Sequence, residues 1–152
     1  MTRISPQEAI NQNVQWFLVQ KNSPGHSGGG CVYFGTTADG EPCKCAIGCL
    51  LPEEIGKKLE KCGLFVCSLL PQSGDDRDDI AWVSGITYPN LNNVLDTTGL
   101  IHREFWISLQ HHHDRAAGDS CGDEEAFRQD YQEYLERICA EFSLEFPADL
   151  LP

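Results

Sequence analysis

Apolar side chains recur at helical spacing in three long stretches of the chain. The first, residues 6–21, begins with Ser-Pro-Gln-Glu, which combines an N-cap serine, an early proline and a capping glutamate. The second covers residues 100–115, and the third covers residues 123–142. A shorter helix is predicted over residues 52–63, because proline and acidic residues open it.

Only one part of the chain has the pattern of paired strands. The apolar run Cys31–Phe34 is followed by an Asp-Gly turn and by a return strand at Cys43–Cys45. Residues 64–99 are interpreted as an irregular insertion, with one helical turn at 91–95. The chain, residues 1–152, is therefore predicted to be a single α+β domain, mainly helical with a small antiparallel β-hairpin.

The balance of charges argues against one class of partner. The chain has 23 acidic residues against 11 lysines and arginines, a formal net charge of −12. Direct binding of nucleic acid is not expected, because it needs clustered Lys and Arg to neutralise phosphates. Acidic surfaces commonly serve solubility, and they also fit a basic partner protein.

The sequence predicts neither a membrane span nor a secretory signal. No apolar run approaches about 18 residues, and Met1–Pro6 lacks the apolar segment of a signal peptide. A cytoplasmic location is therefore predicted. The eight cysteines are then expected to be reduced, as core residues, metal ligands or reactive thiols.

The sequence Gly-His-Ser-Gly-Gly at residues 25–29 fits the G-x-S-x-G pattern of a serine-hydrolase nucleophile elbow. That turn needs a strand before the serine and a helix after it. Here turn residues precede the motif, and the glycines that follow are poor helix starters. A flexible glycine loop is the preferred interpretation.

The Cys-x-Cys-x3-Cys run at residues 43–49 is the densest group of thiols. Its spacing departs from a zinc knuckle, so buried thiols are favoured and neither a metal nor a cofactor is predicted. In a second interpretation Cys45 is a nucleophile and His113 its base, completed by Asp114 or Gln110. Adjacent helical residues point about 100° apart, so Asp114 is predicted to orient His113 poorly.

The helix at 100–115 places polar and aromatic side chains on one arc. His113 falls near the middle of the inward face, where it is either a core residue or a site residue. With residues elsewhere, the arc offers a stacking ring, an amide and a cation, which suit a nucleotide-like ligand. The predicted ligand-binding residues are Tyr33, Cys45, His102, Arg103, Trp106, Gln110 and His113. Core packing is the alternative for Trp106.

Acidic residues are concentrated near the C-terminus. Between positions 119 and 145 there are nine of them against two arginines, a net charge of −7. Such a surface is typical of the solvated side of an amphipathic helix. It also fits an acidic inhibitor that imitates DNA.

Three stretches, Cys31–Gly35, Lys44–Glu54 and Leu109–Asp114, resemble motifs of a family of small phage and prophage proteins. Those proteins share an N-terminal helix, a K-C-A-x-G-x-L-I-P-D-E segment and an L-Q-x-I-H-D helix before a final helix. The resemblance covers roughly the first 55 residues and the last 50. The central segment is its most specific part.

The chain departs from the family pattern at several positions. Leu51 stands for Ile and Glu53 for Asp in the central segment, and His112 replaces the residue before His-Asp. Residues 64–99 form a longer insertion than family members have.

The resemblance implies a phage accessory protein acting in the host bacterial cytosol. The leading hypothesis is a non-enzymatic counter-defence protein that binds and sequesters a small nucleotide-like immune signal. One alternative is an acidic inhibitor of a host defence nuclease or effector protein, and another is a Cys–His hydrolase. A homo-oligomer is compatible with each of them.

Overall fold

Four α-helices and seven short strands build the part of the chain that the computed structural model describes, residues 3–27, 30–37, 39–59, 65–71, 74–81 and 85–152. The helices are α1 (Pro6–Asn13), α2 (Glu53–Lys58), α3 (Gly99–Asp119) and α4 (Glu124–Glu141). The strands are β1 (Ser23–Pro24), β2 (His26–Ser27), β3 (Gly30–Cys31), β4 (Gly35–Thr36), β5 (Pro42–Lys44), β6 (Asp79–Ala81) and β7 (Thr87–Pro89). The predicted α+β class, mainly helical with a small antiparallel strand pair, is confirmed. Among the described residues, no helix is long and apolar enough to cross a membrane.

Helix α1 begins where the sequence predicts. The Ser5 hydroxyl accepts a hydrogen bond from the Glu8 backbone N–H at 3.2 Å, and the Glu8 carboxylate accepts one from the Ser5 N–H at 3.0 Å. Such a cap contributes about 1 kcal/mol to stability. Val14–Val19 continue the helix with π-helical bonding, so the helix predicted over 6–21 is present and ends at Val19.

The predicted hairpin forms with a different first strand. Strand β4 pairs with β5 antiparallel, and β1 pairs with the other edge of β5 in parallel. The run Cys31–Phe34 is not one strand, because its Val32 bridges two other segments. The Val32 N–H donates to the Gly25 carbonyl at 3.0 Å, and the Val32 carbonyl accepts from the Cys45 N–H at 2.9 Å.

Two glycines allow backbone segments to approach closely at this sheet. A Cβ on Gly25 would lie 2.2 Å from the Val32 carbonyl oxygen, and one on Gly48 would lie 1.9 Å from the Tyr33 carbonyl oxygen. Both positions therefore exclude any side chain. Gly25 opens the G-x-S-x-G sequence, and the strand that contains Ser27 pairs with β3 rather than leading into a helix. Residues 28 and 29 lie outside the described residues.

The segment predicted to be irregular, 64–99, contains structure that its sequence does not signal. Strands β6 and β7 pair antiparallel there, and a 3₁₀ turn at Leu91–Asn93 matches the predicted helical turn. The buried amide of Asn90 donates to the Arg77 carbonyl at 2.7 Å and helps to hold the loop. Each strand has only three residues, which is too short to give a period-2 pattern.

Helices α3 and α4 pack against each other and contribute about a third of the buried apolar side chains that the structure describes. Helix α3 continues to Asp119, beyond the predicted end at Arg115. Side chains of the two helices that are buried in the core are Phe105, Leu109, Ala116, Phe127, Tyr131, Leu135 and Ile138. Burial of each large apolar side chain contributes about 1.5–3 kcal/mol. Ile101, near the start of α3, is 64 % exposed.

Candidate functional site

Most of the predicted ligand-binding residues lie in the core. Those with no exposed surface are Tyr33, Cys45, Trp106 and His113. Gln110 is 2 % exposed. The Trp106 indole N–H donates to the Asp96 carbonyl at 2.8 Å. This burial fits the core alternative for Trp106 and His113, and it leaves these side chains no surface that faces solvent.

His102 and Arg103 lie apart from this buried group. Arg103 Nη2 donates to the carbonyls of Cys67 at 3.1 Å and Leu70 at 3.0 Å. His102 Nδ1 lies 3.6 Å from an Asp96 carboxylate oxygen, and His102 lines a shallow groove of about 260 Å³ near the start of α3. The predicted site residues therefore do not converge on one pocket.

A buried hydrogen-bond chain joins α1, the segment after β5, and α4. The Asn13 amide donates to the carbonyls of Ala9 at 2.9 Å and Ala46 at 3.1 Å, and its oxygen accepts from the Tyr131 hydroxyl at 2.7 Å. Burial raises the pKa of Tyr131 well above its ordinary value, and electrostatic interactions with Cys49, Cys45 and Asp114 act in the same direction. Tyr131 thus remains a neutral donor at physiological pH.

His113, Asp114 and Gln110 form a second polar group on α3. His113 Nδ1 lies 3.1 Å from Asp114 Oδ1, and Gln110 Nε2 donates to the same oxygen at 2.7 Å. The prediction that Asp114 orients His113 poorly is wrong, because rotation about the side-chain bonds lets the two groups meet at the edge between their faces. The His113 ring packs against Phe17 and Tyr131, with centroid distances of 5.2 and 5.5 Å.

Cys45 lies at the end of β5, where the chain turns into the 3₁₀ segment Gly48–Leu50. Its Sγ accepts a hydrogen bond from the Gly48 N–H at 3.3 Å. Burial raises the pKa of the neighbouring Cys49 thiol well above its ordinary value, and Cys45 adds to that effect. Because Cys45 and His113 are both fully enclosed, a Cys–His hydrolase would have to open the core to admit a substrate.

A groove of about 450 Å³ runs along the opposite, outer side of α3. It is lined by Phe65, Val66, Cys67, Ile107, Gln110, His111, Asp114, Arg115, Gly118 and Asp119. Phe65 is 59 % exposed, whereas the side chain of Asp114 is only 15 % exposed. Arg115 Nε lies 3.8 Å from an Asp119 carboxylate oxygen. The groove thus combines an aromatic ring, an apolar wall and several polar groups.

Of the residues predicted to bind a ligand, Gln110 lines this groove. Sequence reasoning did not single out Phe65, Ile107 and Arg115. Helical spacing gives a partial signal, since positions 107, 111, 114 and 118 share one face of a helix. The sequence gives no signal for the opposing wall, because Phe65 meets α3 through tertiary packing.

The chain matches no protein-family model, no curated protein and no solved structure. Within the described ranges, no group of three or more His, Cys, Asp or Glu side chains is placed to hold a metal ion.

Proposed function

We propose that this protein binds a small nucleotide-like ligand in the α3 groove and sequesters it. The observation that carries the proposal is the groove itself, which combines an exposed aromatic ring with polar groups that converge from one helix. In the setting that the resemblance to phage proteins implies, the ligand is an immune signal of the bacterial host.

The size and lining of the groove suit such a ligand. Its volume of about 450 Å³ falls within the 300–1,000 Å³ that is usual for small-molecule sites. Phe65 offers a ring on which a base can stack, and Val66 and Ile107 extend the apolar surface. Flat aromatic ligands with polar edges fit this combination.

The wall formed by α3 is held in place before any ligand arrives. The Gln110 oxygen accepts a hydrogen bond from the Ile47 N–H at 3.4 Å, and the Gln110 amide nitrogen donates to Asp114 at 2.7 Å. On the opposing side, Arg103 ties the 3₁₀ segment Val66–Leu69 to α3 through two backbone carbonyls. A preformed site reduces the entropy that binding costs.

The position of the thiol supports binding without turnover. Cys45 and His113 have no exposed surface, and neither lines the groove. A ligand in the groove therefore does not meet the nucleophile and base that the hydrolase alternative requires.

The experiment is titration calorimetry with a panel of mono-, di- and cyclic nucleotides, comparing the wild type with Phe65→Ala. Loss of the stacking ring should lower affinity about tenfold or more, since one base–aromatic stack contributes about 1–3 kcal/mol. Ile101→Ala is the matched control, because Ile101 is similarly exposed but lies outside this groove. Absence of binding by the wild type across the panel would refute the proposal.

A second candidate function rests on the surface of α4. Carboxylates of Glu124, Glu133 and Glu136 are exposed on it, and Phe127, Tyr131 and Leu135 turn inward. This surface fits an acidic inhibitor of a host defence protein. Glu133→Lys/Glu136→Lys should then abolish capture of that protein while nucleotide binding persists, and the opposite pattern would exclude the candidate.

A further inference from the structure

We propose that the groove selects an amino-substituted purine of the adenine type, whose exocyclic amino group donates to Asp114 Oδ2. This inference rests on the proposed function, because it names the part of a nucleotide that the groove recognises. It starts from the hydrogen bonds that Asp114 makes and from the one oxygen they leave available.

The carboxylate of Asp114 is held from one side only. Both of its hydrogen-bond contacts, with Gln110 Nε2 at 2.7 Å and with His113 Nδ1 at 3.1 Å, are made by Oδ1. An oxygen of this kind has two lone pairs, so these contacts use the capacity of Oδ1. Oδ2 accepts no hydrogen bond from the described part of the chain, and Asp114 lines the groove.

The orientation of Gln110 makes Asp114 Oδ2 a fixed acceptor. The Gln110 oxygen faces the Ile47 N–H, which can only donate. Its nitrogen therefore points to Asp114, and exchanging the two ends would oppose donor to donor and acceptor to acceptor. Gln110 acts here as a positioning residue for the carboxylate.

The charges in the groove favour binding of the hydrogen-bond-donating edge of a base over binding of a phosphate. Two carboxylates, Asp114 and Asp119, line it against one arginine, Arg115, which already lies 3.8 Å from Asp119, so a phosphate placed beside Asp114 would be repelled. An exocyclic amino group brings a hydrogen to Oδ2, and a hydrogen bond to a partly buried carboxylate is among the stronger ones. The base is thus bound inside, with its phosphate directed outward toward solvent.

The apolar lining favours a purine over a pyrimidine. Phe65, Val66 and Ile107 all line the groove, and a base with two fused rings can contact more of this lining than a base with one ring. Adenine has an amino group at one edge next to a ring nitrogen that accepts a hydrogen bond. His111 and Arg115, which also line the groove, carry donors that suit this second atom.

The test compares adenosine 5′-monophosphate with inosine 5′-monophosphate by titration calorimetry on the full chain. In inosine a carbonyl replaces the amino group, and it would face the Asp114 oxygen. The wild type should bind the adenosine form about tenfold to a hundredfold more tightly, the value expected of one charged hydrogen bond. In Asp114→Asn, whose amide nitrogen can donate to a carbonyl, this preference should disappear or reverse.

Each outcome separates this inference from the proposed function. Equal binding of both nucleotides by the wild type would overturn the inference and leave the function standing. Guanosine 5′-monophosphate binding as tightly as the adenosine form would also overturn it. Binding of no nucleotide would overturn the function itself. Circular dichroism confirms folding of Asp114→Asn, and if that variant does not fold, the comparison on the wild type decides alone.

Discussion

The inner and outer faces of α3 carry similar side chains in opposite situations. On the inner face, Trp106 and His113 are fully buried, and the Trp106 N–H is bonded to a backbone carbonyl. On the outer face, His111 and Arg115 are exposed beside a groove, and Asp114 keeps one oxygen available. Composition alone marks the inner face as a site, whereas space for a ligand exists on the outer one.

An arc of aromatic and polar side chains on a helix can be either part of the core or a binding site. Buried polar groups are usually paired, and their pairing makes them structural. A binding site needs the same residue types together with accessible space and unused hydrogen-bonding capacity. The difference between the two faces can be tested by substitutions that affect stability on one side and affinity on the other.

The largest expected effect is that of Trp106→Ala. Removal of a fully buried indole should lower the free energy of unfolding by about 3–5 kcal/mol, from the cavity and from the lost hydrogen bond to Asp96. Urea denaturation followed by circular dichroism measures this change. Ile101→Ala, at an exposed position of the same helix, should change it by less than about 0.5 kcal/mol.

Loss of nucleotide binding without loss of stability would contradict the assignment of the inner face of α3 to the core. If Trp106→Ala has the same urea midpoint of unfolding as the wild type but no longer binds nucleotide, then Trp106 is a ligand-binding residue and the inner face is the site. A milder change, Trp106→Phe, retains most of the ring and should cost less stability. It should leave affinity unchanged if the groove is the site.

Local signals explain the parts of the fold that could be predicted. The start of α1 at Ser5 and of α4 after Asp123 depend on caps within a few residues, and both caps are present. The inward positions of Phe127 and Ile138 follow from period 3.6. The predicted first strand of the hairpin is wrong because Val32 forms hydrogen bonds with Gly25 and Cys45, and the strand partner of such a residue depends on its tertiary neighbours.

The candidate site was predictable only in part. The position of Gln110 on the helix predicts a site residue, and Gln110 lines the groove. Phe65 carries no comparable signal, because nothing near it in sequence shows that it will face α3. The contact between Asp114 and His113 is not predictable from the sequence, because helix geometry fixes the direction of Cβ but not the rotamer that brings the carboxylate to His113.

A moderate effect is expected for Tyr131→Phe. The change removes the donor to Asn13 Oδ1 inside the core and should lower the free energy of unfolding by about 1–3 kcal/mol. Tyr134→Phe is the matched control on the same helix, because Tyr134 is only partly buried. An equal decrease in the free energy of unfolding in the two variants would show that the buried hydrogen bond does not stabilise the fold.

The same substitution predicts a change in alkaline stability. Since the folded-state pKa of Tyr131 is raised by burial, the unfolded chain releases this proton first. The wild type should therefore lose stability as pH rises above about 10, the ordinary pKa of tyrosine. Tyr131→Phe should show a shallower loss over this range in urea denaturation at pH 9–11. Parallel pH profiles of the two proteins would contradict the assignment.

Apart from the Ile101→Ala control, the smallest expected effect on stability is that of Arg103→Met, which is also the most informative substitution for the groove. Methionine keeps much of the apolar stem but loses the donors to the Cys67 and Leu70 carbonyls, so the 3₁₀ segment beside Phe65 is held less firmly. The free energy of unfolding should fall by only about 1 kcal/mol, because the bond to the Cys67 carbonyl is exposed and water can replace the donor there. If Arg103 positions the groove wall, adenosine and adenosine 5′-monophosphate should lose affinity by the same factor. If it instead binds phosphate, as the sequence suggested, only the monophosphate should lose affinity, and the wall assignment fails.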